Sequence, residues 1–84
     1  MVFFSSMKKE NIIPVHRKRL GAALRAQRQK LGLSQEKLAE MADCHRNFIG
    51  RLERGEQNPT VDMLVRFAKA LKCSINKLMK EAEL

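Results

Sequence analysis

Residues 33–55, Leu-Ser-Gln-Glu-Lys-Leu-Ala-Glu-Met-Ala-Asp-Cys-His-Arg-Asn-Phe-Ile-Gly-Arg-Leu-Glu-Arg-Gly, limit what this 84-residue chain can fold into more than any other stretch. Leu38, Ala39, Met41 and Ala42 form an apolar face at helical spacing. Ser34 precedes them as an N-cap, and Glu36 sits in the first turn near the positive end of the helix dipole. The pattern restarts with Ile49 and Leu52 and stops at Gly55. A connection of about three residues between two helices forces a sharp angle between their axes. Asp43 falls in that turn, where glycine is common, and aspartate tolerates a left-handed backbone better than most residues. The stretch therefore predicts two short helices joined by a tight turn, with the rest of the chain as their scaffold.

The flanking sequence supplies that scaffold. A first helix is expected from about Val15 to Leu31, with Leu20, Ala23, Leu24, Gln27 and Leu31 on one stripe and Gly32 as its C-terminal cap. Glu56-Gln57-Asn58-Pro59 reads as a loop and Thr60 as the next N-cap, with Asp62 in the first turn. Val61, Leu64, Val65, Ala68 and Leu71 make the strongest amphipathic stripe of the chain. Ser74 then caps a last helix carrying Ile75, Leu78, Met79 and Ala82. No repeat and no strand pattern is visible. The expected fold is all-α, a compact bundle of five short helices containing a helix-turn-helix. Residues 1–14 read as an N-terminal arm, because Ser5-Ser6, Lys8-Lys9-Glu10 and Pro14 break any continuous helix. Residues 15–84 read as the folded domain. Met7 is an alternative start that leaves Val2 to Phe4 outside it.

Composition sets the outer limits. A chain of this length makes one small domain with a thin margin of stability, so pairing with a second copy would help it. Seventeen basic residues against nine acidic ones give a formal net charge of +8, which draws polyanions without saying which kind. No segment approaches the ~18 apolar residues of a membrane span. Met1-Val2-Phe3-Phe4 breaks at Ser5 and lacks the apolar core of a secretory signal, so a cytoplasmic location is expected. Cys44 and Cys73 lack metal-ligand spacing and read as reduced, packed thiols, with a Cys44–Cys73 disulfide as the alternative. No Ser/His/Asp set, metal cluster or glycine-rich phosphate loop is present, so neither an enzyme nor a cofactor is expected. Cys44 and His45 are adjacent on the chain and point about 100° apart on a helix, unsuited to a nucleophile–base pair. RNA binding is disfavoured because no aromatic platform for unstacked bases is visible.

The helix after the turn carries the chemistry. Arg46, Gly50 and Arg54 fall on one line, Asn47 and Arg51 on the next, with Ile49 and Leu52 roughly opposite. Arginine donates two parallel hydrogen bonds to guanine, and asparagine pairs two-fold with adenine, each pair discriminating by about 1–3 kcal/mol. Gly50 is expected to clear the middle of this face for close approach to bases. The plainer alternative is a solvated basic face without base contact.

Gly32-Leu33-Ser34-Gln35-Glu36-Lys37-Leu38-Ala39, Ile49-Gly50-Arg51-Leu52-Glu53-Arg54-Gly55 and Asn58-Pro59-Thr60, in that order and spacing, resemble the helix-turn-helix family of phage Cro and CI repressors and xenobiotic-response-element regulators. The resemblance covers roughly residues 17–79. It implies double-stranded DNA as the partner and assigns roles by position. His45, Arg46, Asn47 and Arg51 face bases. Gln35 bonds a phosphate and braces the recognition helix, while Arg54 and Asn58 lie near the DNA backbone. Arg28 and Glu53 match a structural salt bridge, with Arg28 facing phosphate as the alternative. Phe48 is expected to pack against helix 2 in preference to a deoxyribose, and His16 to be a surface residue.

One such helix reads few base pairs, and relatives dimerise to read two half-sites about 34 Å apart. Ile75, Leu78, Met79 and Leu84 are expected to form the two-fold interface, with Phe3-Phe4 adding to it; closure of the monomer core by Ile75 and Leu78 is the alternative. Among small members of the family, controller proteins of restriction-modification systems share a similar His-Arg-x-x-Ile stretch before Glu-Arg-Gly. The rival reading is an antitoxin-like or adaptor module of the same fold, with a toxin or RNA polymerase as protein partner.

Overall fold

A computed structural model describes residues 12–84, which form five helices and no strand. These are α1 (Val15–Lys30), α2 (Gln35–Met41), α3 (Arg46–Glu53), α4 (Val61–Ala70) and α5 (Ile75–Glu81). The expected arm, up to residue 11, and its Phe3-Phe4 pair lie outside the described residues.

Polar residues begin α2 to α5, Pro14 precedes α1, and left-handed residues end all five. Ser34, His45, Thr60 and Ser74 each accept a hydrogen bond from a first-turn backbone N–H, which satisfies one of the donors a helix start leaves open. Each helix then closes on a residue with positive φ, in turn Gly32, Asp43, Gly55, Lys72 and Glu83. In every case the N–H of the following residue reaches back to a carbonyl five residues earlier, as Cys44 does to Ala39 and Cys73 to Ala68. This paired closure satisfies carbonyls left open at the helix ends and usually seats an apolar side chain just beyond them. Leu33, Cys44 and Cys73 occupy that place and pack against the core. Both thiols are free and half-buried, and burial pushes their pKa values up.

α1 packs on α3 and α5, α2 on α3 and α4, and α4 on α5. Leu24, Leu38, Ile49, Phe67, Leu71 and Leu78 are the largest fully buried side chains. Gln27, on the buried stripe of α1, donates from Nε2 to the Leu71 carbonyl at 3.1 Å and so ties α1 to the end of α4. Phe48 packs against the core, as the preference for packing expected, and its ring stacks on Phe67 of α4 with centroids 6.3 Å apart. Three expected core residues stand out in solvent instead: Leu31 (37% exposed), Met41 (44%) and Val61 (70%). Each sits at a helix end, where the apolar stripe runs past the neighbouring helix that covers it.

Candidate nucleic-acid interface

The position of α3 is set by contacts behind it. At Gly21 of α1, a Cβ would lie 2.4 Å from the Leu52 carbonyl oxygen and 2.6 Å from that of Glu53. Glycine is therefore what lets α1 cross the end of α3 backbone to backbone. Beside this crossing, Arg28 donates from Nε to Glu53 Oε2 at 2.6 Å and from Nη2 to Oε1 at 3.0 Å. Its Nη1 donates to the Leu33 carbonyl at 2.8 Å. Gln35 Nε2 also donates to Glu53 Oε1, at 3.0 Å. The two charged side chains are only 10% and 4% exposed. α1, α2, α3 and the turn after α1 thus converge on one ion pair. No buried side-chain nitrogen or oxygen among the described residues lacks a partner.

In front, Gln35, Arg46, Asn47, Gly50, Arg51 and Arg54 line one shallow concave patch. Arg46, Asn47, Arg51 and Arg54 are exposed, and Gly50 is buried at its floor. Gly50 is not an open gap: a Cβ there would lie 3.4 Å from Arg54 Nη1 and 3.7 Å from Gln35 Oε1. Two carboxylates sit at the edges of the patch. Arg46 Nη1 lies 3.4 Å from Glu36 Oε1. Arg54 donates from Nε to Glu56 Oε2 at 2.8 Å and from Nη2 to Oε1 at 3.2 Å. That hydrogen bonding raises the Arg54 pKa and holds the Glu56 carboxyl below its ordinary value. Arg51 makes no ion pair among the described residues.

The remaining expected site residues fall as follows. His45 is exposed and caps α3, its Nδ1 accepting from the Asn47 N–H at 3.0 Å. A neutral ring used this way carries its proton on Nε2 and is a donor there. Asn58 is exposed in the loop after α3 and does not line the patch. Of the four expected interface residues, Leu78 is fully buried inside the protomer, which removes it from any contact between copies. Ile75 and Met79 are half-buried against the core, and Leu84 is 55% exposed. Sequence reasoning missed Glu36 and Glu56, because neither is related to its arginine by a helical repeat within one helix. It also missed Gly21, although a glycine inside a helical pattern is a sign of close backbone approach. Among the described residues no group of three His, Cys, Asp or Glu is placed to hold a metal ion.

A helix-turn-helix family model, HTH_3, matches residues 24–78 of the chain. The control protein C.SmaI of Serratia marcescens is 45% identical over 60 residues, which span 71% of this chain and 71% of that protein. The crystal structure of the restriction-modification controller protein C.AhdI from Aeromonas hydrophila superposes with a TM-score of 0.71 at 34% identity, covering 73% of this chain and 92% of that one. The clp gene regulator ClgR from C. glutamicum superposes with a TM-score of 0.80 at 33% identity, covering 83% of this chain and 91% of that one.

Proposed function

From the membership of this chain in the HTH_3 helix-turn-helix family, we infer that it is a sequence-specific, double-stranded-DNA-binding transcription regulator of the controller-protein kind. One observation carries the reading. The outer face of α3 gathers Arg46, Asn47, Arg51 and Arg54 in one patch, and that helix is fixed from behind by the buried Arg28–Glu53 pair. Guanidinium and amide groups on a fixed helix are the donors that base edges in the major groove accept. Arg46, Asn47 and Arg51 are assigned to bases, with His45 Nε2 at the edge of their reach. Gln35, with one amide hydrogen spent on Glu53 and one left, and Asn58 are assigned to phosphates.

The working unit is a homodimer reading two half-sites. Its interface is assigned to Ile75, Met79 and Leu84, the apolar surface α5 and the tail leave partly uncovered. No described helix is long and apolar enough to cross a membrane, in keeping with a protein that works on DNA in the bacterial cytoplasm.

The test is a fluorescence-anisotropy titration over a salt series. The duplex upstream of the protein's own gene is compared with a shuffled duplex of equal composition. Native-duplex binding at least ~10³-fold tighter at physiological salt supports a specific regulator. R46A and R51A should each remove about 10–100-fold of that preference, the affinity equivalent of one bidentate base contact. Equal, steeply salt-dependent binding to both duplexes would reduce the protein to phosphate contacts on that DNA. An adaptor of the same fold would keep its protein partner in both variants and show no preference to lose.

A further inference from the structure

Arg54 ends α3 and was assigned by position to the DNA backbone, yet its side chain is engaged within the chain. Glu56 holds it by two hydrogen bonds, Nε to Oε2 at 2.8 Å and Nη2 to Oε1 at 3.2 Å. The remaining corner of the guanidinium, Nη1, lies over Gly50, 3.4 Å from where a Cβ would stand. That places it on the floor of the patch lined by Gln35, Arg46, Asn47 and Arg51. The other two arginines of the patch are held less. Arg46 meets Glu36 at one 3.4 Å contact without a hydrogen bond, and Arg51 pairs with no carboxylate among the described residues.

We propose that Glu56 is a positioning residue that clamps Arg54 over Gly50, making Arg54 a preorganised, specificity-setting donor of the DNA-facing patch. The proposal rests on the DNA-binding reading above.

Three physical arguments support it. The first concerns stability: the two side chains are 60% and 40% exposed, and an exposed pair of this kind contributes little to a fold. The clamp is therefore better accounted for by what it does to Arg54. The second concerns entropy. An arginine held by one edge of its fork has already lost part of the rotamer freedom that binding would otherwise remove, and three N–H groups stay available. The third concerns discrimination. A carboxylate at the rim repels phosphates approached at random, and is tolerated only where the groove places an acceptor against the free corner of Arg54. One glutamate thus favours the matched site and opposes the unmatched ones.

The test uses the full chain and the two duplexes above, with E56Q, R54A and the R54A/E56Q double variant. Melting temperatures of all three should match the parent protein, since the pair is exposed. E56Q should bind the shuffled duplex about 3–10-fold more tightly, having lost one negative charge near the phosphates. It should bind the native duplex about 3–10-fold more weakly, so the preference falls by at least about tenfold. In the R54A background, the same E56Q change should no longer weaken native-duplex binding and should strengthen both duplexes alike, because the residue it acts through is gone and only the charge effect remains. Equal strengthening on both duplexes by E56Q alone would make Glu56 a mere charge and overturn the proposal. So would an E56Q loss that persists in R54A. Either of those outcomes, with R46A and R51A still losing preference, leaves the DNA reading standing. Equal binding of both duplexes by the parent protein overturns the two together.

Discussion

Arg28 and Arg54 grip glutamates in the same way, Nε to one carboxylate oxygen and Nη2 to the other. Their surroundings differ. The Arg28–Glu53 pair lies in the packed seam between α1 and α3 at 10% and 4% exposure, with Leu33 and Gln35 completing its hydrogen bonds. The Arg54–Glu56 pair lies at the surface at 60% and 40%. In the seam the charges have no water to return to, so the pair is an obligation of the fold. At the surface water competes on even terms, so the pair is a restraint that a ligand can use or displace. Geometry alone does not distinguish the two roles; desolvation does.

Breaking the seam should have the largest effect. Arg28→Ala or Glu53→Ala strands a buried charge, and each should lose about 3–5 kcal/mol in urea unfolding. Replacing both, with Arg28→Met and Glu53→Leu, removes the stranded charge and should recover more than half of that loss. If the single variants lose under about 1 kcal/mol, the seam pair is no different from a surface pair and the contrast fails.

The seam can be strained without touching a charge. Gly21→Ala places a methyl against the Leu52 and Glu53 carbonyls. Overpacking of this kind should cost about 1–3 kcal/mol, read as a lowered urea midpoint. Because the methyl meets backbone that cannot rotate away, α3 must shift, and native-duplex affinity should fall further than the stability loss alone accounts for. A variant that is destabilised yet binds as the parent does would mean that the seam stabilises α3 without aiming it.

His45 tests the surface side, being exposed and yet structural. His45→Ala removes the cap on the Asn47 N–H and should cost about 1 kcal/mol of stability. His45→Asn keeps a capping oxygen and should restore the melting temperature. If native-duplex binding stays reduced in the Asn variant, His45 reads DNA through Nε2 as well as capping. Full recovery of both would limit it to the cap.

This contrast also marks what the sequence made legible. Caps at Ser34, Thr60 and Ser74, and the apolar stripes between them, are local signals, and the five helices follow from them. The face of α3 was legible for the same reason, because helical periodicity places Arg46, Asn47, Arg51 and Arg54 together. What was not legible depends on neighbours. Lys72 and Glu83 take left-handed turns with nothing in their chemistry to announce it, stabilised by the helix-end hydrogen bonds they permit. Leu78 and Leu84 looked alike as apolar residues of one tail, and only packing against α1 and α4 buries the first and leaves the second in solvent. The Glu56 clamp spans the end of a helix, where the periodic rules for side-chain neighbours no longer apply.

The smallest effect sharpens the surface side further. Glu56 is held below the ordinary glutamate value of 4.5 chiefly by its hydrogen bond from Arg54, which outweighs the opposing effect of burial, with the charges of Arg54 and Arg51 adding less. A carboxyl whose pKa is depressed by folding adds stability above its unfolded value and loses that addition as pH falls through the folded one. The window therefore lies below 4.5, and the contribution of this carboxyl should be constant between pH 5 and 8. Carbon-13 NMR titration of the Glu56 carboxyl should give a midpoint below the ordinary value, and Arg54→Ala should return it most of the way. The difference in melting temperature between the parent protein and E56Q should barely change through that window, because the pair is solvated. A slightly depressed midpoint matched by an equally slight stability change is what a surface restraint predicts. A depressed midpoint accompanied by a clear loss of stability would place this pair in the class of Arg28–Glu53, and the distinction drawn from exposure would have to be abandoned.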